Sequence, residues 1–202
     1  MFFSIVIPVF RATKVLGNLV QEIVHETEKN KLNVEVILVF DFGENNVWQS
    51  VIQIKNKFPT IIKAIKLSRN FGQHNATIAG FKYCSGDFII TMDEDFQHSP
   101  KDIIQLINQQ KQNNADVVYG KFTNRKHHLF RNITSWLLKQ ILKKGVPDLH
   151  PDYTSFRLIK ANVAKQTLSM NNTFTFLDGY ISWITKGVES IEVNHSEDAT
   201  GK

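Results

Sequence analysis

Cysteine is almost absent from this sequence, since Cys84 is the single one among 202 residues. An internal disulfide is therefore excluded, and such cysteine usage is typical of a reducing compartment, so we expect a cytoplasmic location. Long apolar runs are lacking too, because no stretch approaches the roughly 18 residues that a membrane-spanning helix needs. The opening residues 1–8 lack a basic start and a small-residue cleavage site, which favours a first strand over a secretory signal peptide.

Glycine-rich phosphate-binding motifs are also missing. No G-x-G-x-x-G sequence follows a predicted strand, and no Walker loop is present. Their absence argues against an ordinary dinucleotide enzyme and against a P-loop NTPase. A nucleotidyltransferase would normally carry a glycine-rich basic loop after its first strand, and residues 9–14 contain no glycine.

The sequence does contain a regular alternation of strand-like and helix-like segments. Continuous apolar runs are typical of strands buried on both faces, and residues with helical apolar spacing lie between them. This alternation predicts one α/β domain over residues 1–202, with a mainly parallel sheet between two layers of helices. The predicted strands are Phe3–Val9, Val34–Phe40, Ile61–Leu67, Phe88–Met92 and Ala115–Tyr119, and the predicted helices are Val15–Val24, Trp48–Ile54, Ala76–Tyr83 and 99–112. After Gly120 the alternation weakens, and residues 150–153 and 176–180 are predicted to be loops over the sheet.

Positive charge is in excess, with a formal net charge of +5, and much of it lies in one segment. Residues 121–144 contain no acidic side chain, but they contain Lys121, Arg125, Lys126, Arg131, Lys139, Lys143 and Lys144. Apolar residues at helical spacing around Trp136 predict either an interfacial helix at an anionic membrane or an ordinary amphipathic helix packed on the sheet. A non-enzymatic module that binds membrane or RNA is an alternative of another class. RNA binding favours aromatic residues across a sheet face, which this segment does not show, so we expect no nucleic-acid partner.

The most informative pattern is Asp93-Glu94-Asp95, which follows the predicted strand Phe88–Met92. In an extended strand alternate side chains share a face, so Asp93 and Asp95 would project together with Glu94 turned away. Paired carboxylates where a buried strand ends suit a hard divalent cation such as Mg²⁺ or Mn²⁺, which prefers oxygen ligands and often bridges to phosphates. Ligands of open α/β sheets also bind at that edge. A solvated acidic turn is the plain alternative.

Several segments, in order, resemble the family 2 glycosyltransferases, in particular the polyprenyl-phosphate branch that is similar to dolichyl-phosphate mannose synthase. The matching segments are Ser4–Phe10, Leu67–Gln73, Ser85–Asp87, Met92–Gln97, Val117–Gly120 and Ser155–Leu158. The resemblance covers essentially the whole chain. It implies a GT-A-type three-layer α/β/α sandwich and an inverting, metal-dependent transfer of a sugar from a nucleotide-diphosphate sugar.

The resemblance also implies roles for individual residues. Asp95 would hold the divalent cation, and Asp93 would share the metal or hold the ribose. The residues expected to bind the donor nucleotide are Pro8, Asp41, Arg69 and Asp93. Those expected on the acceptor side are Gln97, Ser155 and Arg157. The candidates for a general base are Asp152 and Asp178.

Some positions depart from the family pattern. The second strand usually ends Asp-Asp-Gly-Ser, whereas here Asp41 is followed by Phe42. Arg11 replaces an asparagine or acid, and Ser155 stands where many relatives carry an acid. Asp198 occupies the place of an expected diphosphate-binding arginine. Relatives continue into amphipathic or membrane-spanning helices, so we expect this chain to be a catalytic domain that lacks such a C-terminal part.

The acceptor is predicted to be a polyprenyl phosphate at the inner face of the cell membrane. A phosphate monoester has its second ionisation near ~6, so this nucleophile is already charged and needs no base. A saccharide acceptor in cell-surface polysaccharide synthesis is the alternative. In that case a carboxylate within hydrogen-bond reach, Asp152 or Asp178, would have to remove the hydroxyl proton.

Overall fold

The computed structural model describes residues 1–11, 14–122, 146, 148–170 and 175–193. The described strands and helices are, in chain order, β1 (Phe2–Val9), α1 (Lys14–Lys29), β2 (Asn33–Phe40), α2 (Asn45–Lys57), β3 (Ile62–Lys66), α3 (Gln73–Phe81), β4 (Phe88–Thr91), α4 (Asp102–Asn113), β5 (Val117–Phe122), β6 (Arg157–Lys160), α5 (Ala161–Thr167), α6 (Leu177–Ile184) and β7 (Val188–Val193). Every strand and helix predicted before Gly120 is present, although several ends differ by a few residues.

The strands form one seven-stranded sheet in the order β3-β2-β1-β4-β6-β5-β7. The β1, β2, β3 and β4 strands pair in parallel, β7 is parallel to β5, and β6 runs antiparallel to both β4 and β5. The predicted mainly parallel α/β fold is therefore confirmed. The prediction of loops is confirmed for residues 150–153 and wrong for residues 176–180, because residues 177–180 begin α6. The strands β6 and β7, which complete the sheet, were not predicted. The short β6 strand escaped prediction because it begins with a charged residue, Arg157.

Alternate residues of the central strands face two separate apolar cores. Ile5 and Ile7 of β1 point into the core that α1, α2 and α4 cover, whereas Val6 points into the core covered by α3, α5 and α6. Burial on both faces explains why these strands are continuous apolar runs in the sequence. The result is the three-layer sandwich, with helices on both faces of the sheet.

The chain changes direction across the sheet between β1 and β4. From β1 it proceeds to β2 and β3 on one side, and β4 then pairs with the other side of β1. Such a switch point leaves a crevice outside the carboxyl ends of the parallel strands, where open α/β sheets bind ligands. The residues that follow these strand ends, Phe10, Asp41 and Met92, therefore converge on one edge of the molecule.

Candidate active site

A cavity of about 350 Å³, here called the central cavity, opens at this edge of the sheet. Its walls come from the ends of β1, β2 and β4 and from the loop before α3. The lining residues are 8–10, Asp41, Asn70, Gly72, Gln73 and 93–95. The structure thus brings together four of the residues singled out in the sequence, which are Pro8, Asp41, Asp93 and Asp95.

Asp41 holds the loop that precedes α3. Its carboxylate is buried and accepts the backbone N–H groups of Phe71 and Gly72 at 2.7 and 2.8 Å. Gly72 has φ +84°, a left-handed conformation that suits a residue without a Cβ. Burial raises the pKa of the Asp41 carboxyl, and the two N–H donors offset part of that rise. Asp41 therefore shapes the cavity wall, while its contact with a donor nucleotide stays a prediction.

Arg69 lies beside this wall rather than in it. Its guanidinium carbon sits 4.8 Å from the centroid of the exposed Phe71 ring. The neighbouring Asn70 lines the cavity, and its Oδ1 accepts the Gly72 N–H at 2.9 Å. Arg69 was predicted to bind the donor, whereas Asn70 was not predicted as a site residue. The side chain of Asn70 nevertheless lines the cavity and holds the loop before α3.

Asp93 lies at the boundary of the central cavity and a second cavity, and it lines both. Its Oδ1 accepts a hydrogen bond from the Gln73 amide, and its Oδ2 accepts one of 2.6 Å from the Ser155 hydroxyl. Burial raises the pKa of the Asp93 carboxyl, the Ser155 hydroxyl offsets part of that rise, and the Asp95 carboxylate adds to it. Asp93 is therefore a wall residue that the two cavities share.

Asp95 reaches the central cavity from a turn, not from a strand. β4 ends at Thr91, residues 94 and 95 form a turn, and Phe96 takes a positive φ of 65°. The predicted strand alternation through Asp95 is therefore wrong, although both aspartates line one cavity. The Asp95 Oδ1 atom accepts the Gln97 backbone N–H at 3.1 Å, which fixes the turn.

Asp93 and Asp95 are the candidate metal ligands of the central cavity. Across the described residues, no group of three or more His, Cys, Asp or Glu side chains is arranged to hold a metal ion alone. Mg²⁺ is usually held by one or two carboxylates, with water and substrate phosphates as the remaining ligands. Asp93 and Asp95 at one cavity therefore fit a divalent cation that binds together with a phosphate-bearing ligand.

Glu94 is a residue that sequence reasoning dismissed. It was expected to turn away from the site, yet it lines the central cavity. Its carboxylate oxygens accept the backbone N–H groups of Phe10 and Arg11, each at 3.0 Å. The turn after β4 is thereby joined to the turn after β1, which a strand-based interpretation of Asp93-Glu94-Asp95 could not reveal.

The second cavity, here called the side cavity, has a volume of about 470 Å³. It adjoins the central cavity at Asp93 and extends along the end of β5 to the loop before β6. Its lining residues are Asp93, Gln97, His98, Lys121, Phe122 and 151–155. Four sequence-predicted residues, Asp93, Gln97, Asp152 and Ser155, meet here.

Asp152 is an ion-paired carboxylate in the side cavity. Its Oδ2 accepts hydrogen bonds from the Lys121 ammonium at 3.2 Å and from the Ser190 hydroxyl at 2.9 Å. Burial alone would raise the pKa of Asp152, but Ser190, Lys121 and the charge of His150 together hold it below its ordinary value. The side cavity therefore contains the Lys121 ammonium and a carboxyl of lowered pKa, Asp152, together with Asp93.

His98 is a further lining residue that was not predicted. Its imidazole is buried and stacks between the rings of Phe122 and Phe156, with centroids 4.5 and 4.8 Å away. The Phe96-Gln97-His98 sequence was the only available signal, because the aromatic partners come from distant β5 and the residue before β6. His98 is therefore a buried wall residue of the side cavity whose ring is held by two phenylalanines.

Arg157 and Asp178 were predicted as an acceptor-side residue and a general base, but neither lines the central or the side cavity. They form a buried ion pair between β6 and α6, and each side chain is 3% exposed. The Tyr119 hydroxyl donates to Asp178 at 2.8 Å, and Asp178 raises the pKa of Arg157 against the effect of burial. The structure thus places both residues in the protein interior, in β6 and the first turn of α6, and their roles on the acceptor side and as a base stay predictions.

The remaining sequence predictions lie outside the described residues. They are the amphipathic segment around Trp136, most of the basic segment 121–144, and Asp198 in place of an arginine. Lys121, the first cation of that segment, is described and lines the side cavity. None of the described helices has the length and apolar character required to cross a bilayer.

Comparison with curated proteins identifies sequence relatives over nearly the whole chain. The undecaprenyl-phosphate 4-deoxy-4-formamido-L-arabinose transferase of Photorhabdus laumondii is 30% identical over 199 residues, which are 98% of this chain and 61% of that protein. The protein of the same name from Proteus mirabilis is 29% identical over the same shares. The chain therefore spans about three fifths of the length of these relatives.

Solved structures and a family model agree with that result. The Pyrobaculum calidifontis mannosyltransferase PcManGT, solved with GDP-Man and Mn²⁺, has a TM-score of 0.65 at 15% identity, over 95% of this chain and 54% of that one. Glucosyl-3-phosphoglycerate synthase from Mycobacterium tuberculosis, solved with Mn²⁺ and UDP-Glc, has a TM-score of 0.66 at 11% identity, over 96% and 71%. These similarities confirm the GT-A-type fold. The model described as "Glycosyl transferase family 2" matches residues 4–172, and on this match the chain belongs to glycosyl transferase family 2.

Proposed function

We propose that this chain transfers a sugar from a nucleotide-diphosphate sugar to the phosphate of a polyprenyl phosphate. The observation that carries the proposal is the position of Asp93, whose carboxylate lines both the central and the side cavity. A glycosyl transfer needs donor and acceptor to meet at one point in a defined geometry. The central cavity would hold the donor, the side cavity the acceptor, and the sugar would lie next to Asp93.

The central cavity suits a nucleotide diphosphate. Asp95 and Asp93 would hold Mg²⁺ or Mn²⁺ at the phosphates, and this ion would supply Lewis-acid stabilisation of the charge on the leaving diphosphate. Asp41 keeps the wall formed by Asn70 and Gly72 in place through its bonds to the loop backbone. Pro8 and the Phe10 ring would enclose the nucleoside end, and Arg69, which lies beside the wall, would face the phosphates.

The side cavity suits an anionic acceptor. The Lys121 ammonium is the cation within it, 3.2 Å from Asp152, and it can exchange that partner for a phosphate oxygen. Phosphate–ammonium pairs are strong charge-assisted contacts. Gln97 is exposed on the same rim, where its amide can donate to a phosphate oxygen.

The ionisation of Asp152 favours a phosphate over a hydroxyl as the nucleophile. A general base works best when its pKa lies near the operating pH. The pKa of Asp152 is instead held below its ordinary value, so this carboxylate is a weak proton acceptor. A phosphate oxygen needs no deprotonation, so it would attack the anomeric carbon as the bond to the nucleoside diphosphate breaks, with inversion as the family resemblance implies.

A saccharide acceptor is the second candidate within the same enzyme class. The observation in its favour is that Asp152 and Asp93 line one cavity, so a carboxylate is present at the acceptor side. With a hydroxyl nucleophile, Asp152 would have to remove the proton, and its replacement would reduce turnover by about 10²–10⁴-fold. The Asp152→Asn variant therefore separates the two acceptors.

Membrane contact would follow from a lipid acceptor. The acid-free basic segment 121–144 carries several cations that would each contribute about 1 kcal/mol near an anionic leaflet. Such binding would be peripheral and at the inner face of the cell membrane. It would appear as salt-sensitive co-sedimentation with anionic liposomes, reduced in a Lys139→Ala, Lys143→Ala, Lys144→Ala triple variant.

The proposal is tested in two steps. Calorimetry with UDP, GDP and dTDP, each with and without Mn²⁺, should find one nucleotide whose binding strengthens with the metal. Labelled sugar should then pass from the matching donor to undecaprenyl phosphate in detergent. Liposome or RNA binding without any nucleotide binding would favour a non-enzymatic module, and transfer to water-soluble saccharides alone would overturn the lipid acceptor.

A further inference from the structure

Glu94 joins two turns that are far apart in the sequence. The Glu94 Oε2 atom accepts the Phe10 N–H and Oε1 accepts the Arg11 N–H, each at 3.0 Å. The turn after β1 otherwise leaves the sheet at Val9, where pairing with β2 ends. A carboxylate that accepts two N–H groups therefore anchors the backbone at the point where strand hydrogen bonding stops.

The anchored turn carries an aromatic wall of the central cavity. Phe10 lines that cavity and 36% of the residue is exposed, so its ring is only partly packed. The Arg11 guanidinium carbon lies 5.0 Å from the centroid of this ring. On the other side, a Cβ built on Gly43 would lie only 3.1 Å from the Phe10 carbonyl oxygen, so the backbone after β2 approaches this turn closely. The position of the ring thus depends in part on the backbone of this turn, which Glu94 holds.

We propose that Glu94 is a positioning residue for the donor: it fixes the turn after β1 so that Phe10 encloses the nucleoside end of the nucleotide-diphosphate sugar. This inference rests on the proposed function. It assigns to the middle residue of Asp93-Glu94-Asp95 a task separate from that of its neighbours, which supply the metal ligands. Glu94 acts through Phe10 and does not touch the reacting atoms.

The geometry separates this task from metal binding. Both oxygens of Glu94 face backbone N–H groups, whose partial positive charge disfavours a cation at the same position. Loss of Glu94 should therefore loosen the nucleoside wall and leave the metal site intact. A glutamate that ligated the metal would give the opposite pattern.

The experiment compares Glu94→Ala, Glu94→Gln and Glu94→Asp with the unaltered chain. In Glu94→Ala, the KM for the donor, or the Kd for the nucleotide, should rise about tenfold, because two bonds to a charged acceptor are lost, while kcat changes little. Glu94→Gln keeps one acceptor oxygen in a near-isosteric side chain, so a rise of about threefold is expected. Glu94→Asp is too short to reach both N–H groups and should resemble Glu94→Ala. The Mn²⁺ concentration for half-maximal binding should not change in any variant.

Two controls make the test specific. Glu44→Gln removes an exposed carboxylate that makes no capping hydrogen bond at the start of α2, and it should leave nucleotide affinity unchanged. In a double-mutant cycle, Glu94→Ala should cost little further affinity in a Phe10→Ala background, because no ring remains to be positioned. Additive effects in that cycle would overturn the inference.

Other outcomes are equally decisive. A shift in the Mn²⁺ requirement of Glu94→Gln would make Glu94 a metal ligand and overturn the positioning role. Unchanged donor affinity in all Glu94 variants would overturn it as well, while the proposed function would stand on the binding shown by the unaltered chain. Absence of nucleotide binding by the unaltered chain would overturn the proposed function and this inference together.

Discussion

The hydroxyl of Ser155 donates a hydrogen bond of 2.6 Å to Oδ2 of Asp93, across 62 residues of sequence. Ser155 belongs to the loop before β6, whereas Asp93 follows β4, so this bond fixes the loop of the side cavity to the carboxylate shared by both cavities. Ser155 is thus a neutral hydrogen-bond donor to this carboxylate. A second carboxylate there would repel Asp93, whereas the hydroxyl stabilises its charged form.

Ser155→Ala should move the acid limb of nucleotide binding to higher pH. Burial already raises the pKa of Asp93, and the Ser155 hydroxyl offsets part of that rise. Without this donor the pKa rises further, so the charged carboxylate and metal-dependent binding are lost sooner as the pH falls. At mildly acidic pH we expect affinity to drop about tenfold, as measured by calorimetry across a pH series. Ser155→Thr keeps the hydroxyl and should restore the original profile, whereas identical profiles for all three proteins would contradict the role of this bond.

Asp95→Asn should abolish the Mn²⁺-dependent part of nucleotide binding. The amide retains an oxygen for the Gln97 N–H, so the turn is preserved, but it removes the charge that a divalent cation requires. Circular dichroism and the melting temperature should match those of the unaltered chain. Calorimetry with and without Mn²⁺ gives the result, and full retention of the metal effect would rule out Asp95 as a ligand.

Lys121→Gln should weaken the acceptor and not the donor. Lys121 lines the side cavity and not the central cavity. Loss of its charge should therefore raise the KM for undecaprenyl phosphate about tenfold and leave the KM for the donor unchanged. Lys186→Gln, which removes an exposed cation paired with Asp148, is the matched control.

In the same assay, Asp152→Asn should retain most turnover, because a phosphate nucleophile needs no base. A large loss of kcat in Asp152→Asn would instead support a hydroxyl acceptor.

Asp178→Asn should destabilise the fold rather than act on catalysis alone. The change leaves the Arg157 guanidinium buried without its counter-charge, which should lower the free energy of unfolding by about 3–5 kcal/mol. Asp148→Asn breaks the exposed pair with Lys186 and should cost less than about 1 kcal/mol. Urea unfolding of both variants provides the measurement. An Asp178→Asn protein of unaltered stability but without transferase activity would restore Asp178 as a candidate base.

Asp102→Asn should stabilise the protein at neutral pH and have no effect in acid. Burial raises the pKa of the Asp102 carboxyl from 3.8 to about 6. Because the folded-state value is the higher one, folding favours the protonated form, and this contribution is complete below pH 3.8 and lost as the pH rises through about 6. An uncharged amide removes that loss, so at pH 8 the gain should be about 1–3 kcal/mol. Thermal unfolding at pH 4 and pH 8 checks this, with the exposed Glu28→Gln as control. Equal effects at both pH values would contradict it.

Periodicity was sufficient to locate the layers of this fold before Gly120. Runs such as Ile5-Val6-Ile7 are buried on both faces of a parallel sheet, so every residue in them is apolar. Such a strand can therefore be recognised from a short stretch of sequence. Beyond Gly120 this signal failed. β6 is a short strand that begins with Arg157, and the charge of that residue is compensated by Asp178 from a helix 21 residues later, which no local pattern encodes.

The candidate site divides in the same way. The order of residues along the chain indicates which acids follow the ends of β2 and β4. Because parallel strands present their carboxyl ends together, it also indicates that Asp41, Asp93 and Asp95 meet at one edge. The partner of each carboxylate follows from the folded arrangement. Asp41 and Glu94 hold backbone N–H groups of other loops, and Asp93 joins two cavities, because hydrogen-bond partners 30 to 84 residues apart are chosen by the folded arrangement and not by spacing along the chain.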